Sequence, residues 1–235
     1  MNNKIEAAIK ALNDKHMSIN ALDKITREFF DKNPNESRDE FMTRWHEHKD
    51  RITAANAEKR IQDIELRIMK DNARRLVFDE VVPVALAILK KYHNKPYGEK
   101  TAEKISNECK AATGCALRLP RSNSWQDIDL TPLNDEGCTH YAFGYNDFEI
   151  YIKDKHPILN ADNRIDSADI EPSDLRLHYC NEYCDNPRER AEKILSDLEA
   201  LDKQYKQLES AIGAFNNLLP SGLERRRVEG FRAYF

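Results

Sequence analysis

Residues 186–222 read NPRERAEKILSDLEALDKQYKQLESAIGAFNNLLPSG, and this stretch decides the fold. Ile194, Leu198, Leu201, Tyr205, Leu208, Ile212, Phe215 and Leu219 follow one another in steps of four and three without a miss. That is the period of a coiled-coil seam. Asn186 suits an N-cap, Pro187 suits the first helical position, and Glu189 completes an approximate capping box. Pro220-Ser221-Gly222 stops the helix. At ~1.5 Å per residue it is roughly 50 Å long.

The same spacing recurs upstream. Ser37 and Glu40 form an S-x-x-E capping box directly after the breaker Asn33-Pro34-Asn35. From there Phe41, Trp45, His48, Ile52, Ala55, Lys59, Gln62, Leu66, Met69, Ala73 and Leu76 keep the four-three rhythm. A parallel stripe of Ile61, Ile64 and Ile68 predicts a second covered face. Pro83 is expected to kink or end this helix at about Val82. Val84 to Tyr92 and Thr101 to Ala112 read as two shorter helices, with Gly114 capping the second. Asn2 to Phe30 carries an apolar face of Ile5, Ile9, Leu12, Ile19, Leu22, Ile25 and Phe29, with Ser18 and Asn20 marking a point where it would split in two.

Only beyond Gly114 does the period change to two. Cys115 to Leu119 reads as a short strand, and His140 to Tyr145 with Phe148 to Lys153 as a hairpin turning at Tyr145-Asn146-Asp147. Pro120 to Thr139 and Asp154 to Pro172 read as acidic loops, and loops this long are uncommon inside a compact domain unless they bind something. The expected fold class is α+β, mainly α. Long coiled-coil-like helices form an antiparallel pair or a dimer, with a small antiparallel hairpin or sheet module inserted between them. The expected divisions are 1–93 (helical, with the long coiled-coil helix), 97–185 (acidic α/β module), 186–219 (C-terminal coiled-coil helix) and 220–235 (basic-aromatic tail).

Composition agrees with long helices and few tight turns: 235 residues, 33% charged, only 7 Gly and 9 Pro. The 40% hydrophobic content is enough to build a core. The N-terminus has no apolar core of the length a signal peptide needs, and the longest apolar stretch, around Val81 to Leu89, is about half a membrane span, so the chain is expected in the cytoplasm, away from membranes. Five cysteines, an odd number in a chain with its own core, are read as reduced. The net charge of −4 conceals a segregation. Between Leu119 and Asp185 there are 5 Lys and Arg against 14 Asp and Glu, and the remainder is mildly basic.

Three groups of residues are candidates for a site. Cys138-x-His140 would place two soft ligands on one strand face, and His178, Cys180 and Cys184 could complete a tetrahedral zinc site. The spacing matches no standard knuckle, so the favoured reading is cysteines without a metal and a protein without a cofactor. Asp127, Asp129, Asp135 and Glu136 concentrate the acidic surface as a binding patch. Arg225, Arg226, Arg227 and Arg232, interleaved with Phe231, Tyr234 and Phe235, could grip phosphates and stack on bases, or dock on a protein. Asn160 to Asp166 begins like a calcium loop, but Arg164 and Ile165 stand where a ligand and a glycine are needed. No phosphate-cradling, dinucleotide-binding, nucleophile-elbow or metalloprotease motif occurs, which tilts the reading away from an enzyme.

Through Ile9, Leu12, Ile19, Ile25 and Trp45, the first 50 residues loosely resemble the helix-turn-helix and coiled-coil plan of plasmid-borne KfrA-type DNA-binding proteins. That resemblance implies a nucleic-acid-binding regulator. The segment carries 9 basic against 10 acidic residues, which opposes a phosphate-binding surface. The favoured expectation is a non-enzymatic protein-interaction module that self-associates as a homodimer. Its acidic surface would act as an inhibitor or adaptor of a basic nucleic-acid-handling protein, by analogy with some phage-encoded anti-CRISPR proteins. A nucleic-acid-binding regulator and a zinc-containing protein or enzyme are the alternatives.

Overall fold

A computed structural model describes residues 3–31, 35–119, 127–133, 149–152, 158–177 and 180–223. Four helices account for most of them: α1 (Asn3–Phe30), α2 (Arg38–Lys91), α3 (Glu99–Thr113) and α4 (Pro187–Leu218). Four short strands, β1 (Cys115–Arg118), β2 (Asp127–Pro132), β3 (Glu149–Ile152) and β4 (Leu175–Leu177), form one antiparallel sheet in sequence order. The chain is α+β and mainly α, with the sheet module inserted between the long helices.

α2 is the axis of the molecule. It starts where the capping box places it: Ser37 Oγ accepts the Glu40 amide at 3.3 Å, and Glu40 Oε2 accepts the Ser37 amide at 2.7 Å. Its 54 residues continue through Pro83, so the helix does not end at Val82. Pro83 lies on the exposed side, while Val81, Val82, Ala85, Leu86, Ile88 and Leu89 are buried around it. An interior proline costs a helix about 3 kcal/mol, and several fully buried aliphatic side chains at about 1.5–3 kcal/mol each outweigh it.

α1 is one unbroken helix, not two, and it folds back antiparallel on α2. Phe29 stacks near Phe41, Trp45 and His48, Ser18 donates to Gln62 at 3.5 Å, and Lys15 pairs with Glu65. Arg44 ties the tip, donating to the Phe29 carbonyl and to both oxygens of Glu36. The four-three seam of α2 is therefore taken chiefly by α1. This continuous hairpin also removes the short helix pair that a helix-turn-helix requires.

The second half of α2 carries the sheet. Leu117, Ile128, Leu130, Ile150 and Leu175 alternate onto one sheet face and pack on Val82, Ala85, Leu86 and Leu89. The apolar core continues without a break to Ile5, Ile9 and Leu12 of α1 and to Ile105 of α3. Gly114 ends α3 at φ 78°, the left-handed conformation a C-cap favours.

Two expectations for the connecting segments are corrected. β2 lies inside the expected loop Pro120 to Thr139, because Ile128 and Leu130 point to the core between polar neighbours. The segment 158–174 owes its length to packing, since Ile158, Leu159, Ile165 and Ile170 are fully buried. Asn160 Oδ1 accepts the amides of Asp162 and Arg164 at 3.0 and 2.9 Å, Asn163 takes φ 55°, and the turn pairs with Tyr97 and Asn94. The carboxamide oxygen that begins the calcium-loop pattern is thus committed to a turn. β3 falls within the second arm of the expected hairpin; the first arm, 140–145, lies outside the described residues.

Candidate functional site

α4 leaves the sheet module through a clasp. Asn72, on α2, donates to the Cys184 carbonyl at 2.7 Å and accepts the Cys184 amide at 2.9 Å, as a neighbouring strand would. Asp71 accepts from the Asn181 side chain at 2.6 Å and from its amide at 3.3 Å. Arg75 donates to the carbonyls of Asn181 and Cys180 at 2.5 and 3.4 Å. One turn of α2 so holds the extended stretch 180–184 by its backbone. A groove of about 750 Å³ opens beside it, walled by Ile68 and Ile194 and rimmed by Tyr183, Asp185 and Arg190.

α4 begins with Asn186 at the N-cap and Pro187 inside, as read from the sequence, although the Asn186 side chain reaches Glu189 rather than a backbone amide. It then runs antiparallel to α2, held by a charged node. Arg188 donates to both oxygens of Glu58 at 2.7 and 2.8 Å, to Glu192 at 2.7 Å, and lies 3.7 Å from Glu65, which Lys15 of α1 also meets. Three helices are joined at this level. The fork geometry makes a bidentate, charge-assisted pair. The Arg188 hydrogen bonds are the main reason the Glu58 carboxyl is lowered to about 2, with Gln62 adding a further donor.

That shift sets a pH dependence. A carboxyl with a depressed folded-state pKa contributes stability above its ordinary value near 4.5, and loses it as pH falls towards 2. With 35% and 41% of the two side chains facing water, screening reduces the contribution to about 1 kcal/mol. Thermal melts from pH 5 to pH 2 should show this loss in the wild type. Glu58→Gln should be less stable at pH 7 and lack that part of the slope; an identical slope would remove Glu58 from the account.

Beyond the node the seam parts from α2. Ala191 and Leu195 are buried, and Arg60 of α2 pairs with Glu199 at 3.7 Å. Further on, Leu201 is 45% exposed, Leu208 50%, Phe215 51% and Leu218 83%, while Tyr205, Ile212 and Leu219 are half-buried. The heptad is real in the sequence, yet within one chain Ile194, Leu198, Tyr205, Ile212 and Leu219 are only half-buried and Leu201, Leu208 and Phe215 are exposed. About 20 residues, roughly 30 Å of helix, stand away from the body with an apolar stripe.

Of the sequence-derived candidates among the described residues, Cys180 and Cys184 fall in this clasp and Asp127 and Asp129 lie on the sheet. Asp127 and Asp129 lie on β2, with Asp129 in register between Arg118 and Glu149. Asp129 is half-buried and accepts the Thr131 hydroxyl at 3.1 Å; burial raises its carboxyl pKa, opposed by that bond and by Arg118. It is a packed strand residue rather than part of a solvated loop. Asp135, Glu136, Cys138, His140, His178 and all four tail arginines, Arg225, Arg226, Arg227 and Arg232, lie outside the described residues.

Cys180 and Cys184 sit in the clasp. The Cys180 thiol faces the Asp71 carbonyl at 3.5 Å, and burial, then the Asp71 charge, raises its pKa. Among the described residues no group of three His, Cys, Asp or Glu side chains is arranged to hold a metal ion. Cys109 and Cys115 are buried around the Thr113 hydroxyl, and burial pushes the Cys115 thiol up to about 12. Among the described residues no helix is long and apolar enough to cross a membrane. The chain matches no protein-family model, no curated protein and no solved structure.

Asp71, Asn72, Arg75, Glu58 and Arg188 had no signal in the sequence, because their partners lie more than 100 residues away and backbone carbonyls carry no side-chain signature.

Proposed function

We propose that this chain is a non-enzymatic protein-interaction module in which the projecting part of α4 takes up a helix of its partner. The observation that supports it is the exposure of Leu201, Leu208 and Phe215 on one heptad stripe, with Leu218 exposed at its edge. Helices of this length draw most of their stability from packing an apolar face, so an uncovered seam calls for a partner. The three-helix node and the clasp give that helix a rigid base.

A second reading is favoured by the charge segregation. The 14 carboxylates against 5 basic residues between Leu119 and Asp185 would speed encounter with a basic nucleic-acid-handling protein, which the module would inhibit or adapt. One experiment addresses both readings. Wild type, Leu208→Asp and the double variant Asp135→Lys, Glu136→Lys serve as baits in affinity capture from the native host. The seam reading expects a partner retained by the wild type and lost tenfold or more with Leu208→Asp. A partner lost with the charge-reversed bait and kept by Leu208→Asp would move the contact to the acidic module. Equal retention by all three baits would exclude both surfaces.

A further inference from the structure

We infer that the helix covering the α4 seam is α4 of a second copy of this chain, lying antiparallel about a two-fold axis near Ser210. The inference rests on the reading of α4 as a docking surface and adds its occupant and direction.

The first argument is register. The uncovered stretch runs from Leu201 to Leu219, and its midpoint is Ser210. Turned end for end about that point, Leu201 faces Leu219 of the second copy, Tyr205 faces Phe215, and Leu208 faces Ile212. Each layer occurs twice, giving six, and every residue of the projecting stripe finds a counterpart. The seam is self-complementary over the length that α2 leaves bare.

The second argument is what flanks the seam. In heptad terms Leu198, Tyr205, Ile212 and Leu219 are a positions, and Leu201, Leu208 and Phe215 are d positions. A parallel pair sets each g position against the following e position of its partner, so Asp197 would meet Asp202 twice. The antiparallel pair sets Asp202 beside Asn216 instead, and Glu209 is the one charged flanking residue set against its own copy. Leu218, the most exposed large apolar residue at 83%, is a g position at the end of the helix. In a parallel pair its e-position counterpart would fall at Leu223, past Leu218 where α4 ends. Antiparallel, it lies over the stem of Gln204. Opposed directions also send the two sheet modules to opposite ends, away from each other.

The third argument is area. At 45–83% exposure, Leu201, Leu208, Phe215 and Leu218 leave roughly 400 Å² of apolar surface per copy for side chains of this size. Two copies bring together about 800 Å², and Tyr205, Ile212, Leu219 and the aliphatic stems carry the total past the ~1,000 Å² that marks a specific interface.

Sedimentation equilibrium and cysteine cross-linking on the full chain test this. The wild type should sediment at twice its chain mass of 27.3 kDa, and Leu208→Asp at the single mass with unchanged circular dichroism. Ala211→Cys lies at a g position one residue from the axis, so mild oxidation should link it to its own copy above the wild-type background. Leu208→Cys, which faces its own copy only in a parallel pair, should not link. Linking through Leu208→Cys and not Ala211→Cys would overturn the antiparallel arrangement while leaving α4 as the docking surface. A wild type of single mass at all concentrations would overturn the second copy as occupant, and the capture experiment then decides separately whether the seam docks anything. A dimer that survives Leu208→Asp would place the contact elsewhere and overturn the inference.

Discussion

Leu89→Ala is expected to lower the unfolding free energy by about 2–5 kcal/mol, the range measured when a fully buried leucine is truncated and its cavity only partly collapses. Leu89 has no exposed surface and stands where α2 meets Leu117, Leu130 and Ile150 of the sheet. Its carbonyl also accepts the hydroxyl of the buried Ser167 at 3.0 Å, so a shift of the α2 backbone disturbs the docking of segment 158–174. Leu208→Ala, the same chemical change on a half-exposed site, should alter the stability of the isolated chain by about 0.5 kcal/mol or less. Urea unfolding at low protein concentration measures both. Equal losses would mean that α4 packs along its whole length within one chain.

The contrast between these two leucines marks how far periodicity reaches. Asn186-Pro187 located the start of α4 and the Ser37–Glu40 box the start of α2, the first because proline suits a first helical position and the second because reciprocal side-chain to backbone bonding fixes that end. Periodicity says that a face will be covered and not by what. Ile194 and Leu208 belong to one sequence pattern, yet the first is half-buried and lines the groove beside α2, while the second is 50% exposed. The main seam of α2 went to α1 because Ile5, Ile9 and Leu12 offer a competing apolar face closer along the chain. Pro83 misled for a related reason: a local breaker was outweighed by tertiary burial on the opposite side of the helix.

β2 is legible in the sequence. Asp127-Ile128-Asp129-Leu130-Thr131 alternates strictly, but its carboxylates drew the segment into an acidic loop. The burial that raises the Asp129 carboxyl pKa belongs to a strand pairing with residues on both neighbours, which no single stretch of sequence contains. The clasp residues were hidden for the same reason.

Asn72→Ala is expected to cost about 2 kcal/mol and to release the start of α4. Asn72 satisfies both backbone groups of Cys184 through one carboxamide, in a position that is only half-accessible to water. Alanine leaves an N–H and a C=O without their partner; an unsatisfied buried group costs about 1–3 kcal/mol, and partial access to water holds the sum of the two near the lower bound. The neighbouring bonds from Asp71 and Arg75 to Asn181 and Cys180 remain, so the segment should loosen at its α4 end first. Native-state hydrogen exchange should therefore show the Cys184 amide opening at least tenfold more readily, with amides of the first turn of α4 following, while those of β1 and of α2 near Leu89 keep their protection. The Arg188–Glu58 pair limits how far the release spreads, so combining Asn72→Ala with Glu58→Gln should extend it along α4 by more than the two single effects added together. Unchanged exchange at Cys184 in the single variant would show that Asp71 and Arg75 alone hold the segment, and that the paired amide contact adds nothing to the base from which α4 projects.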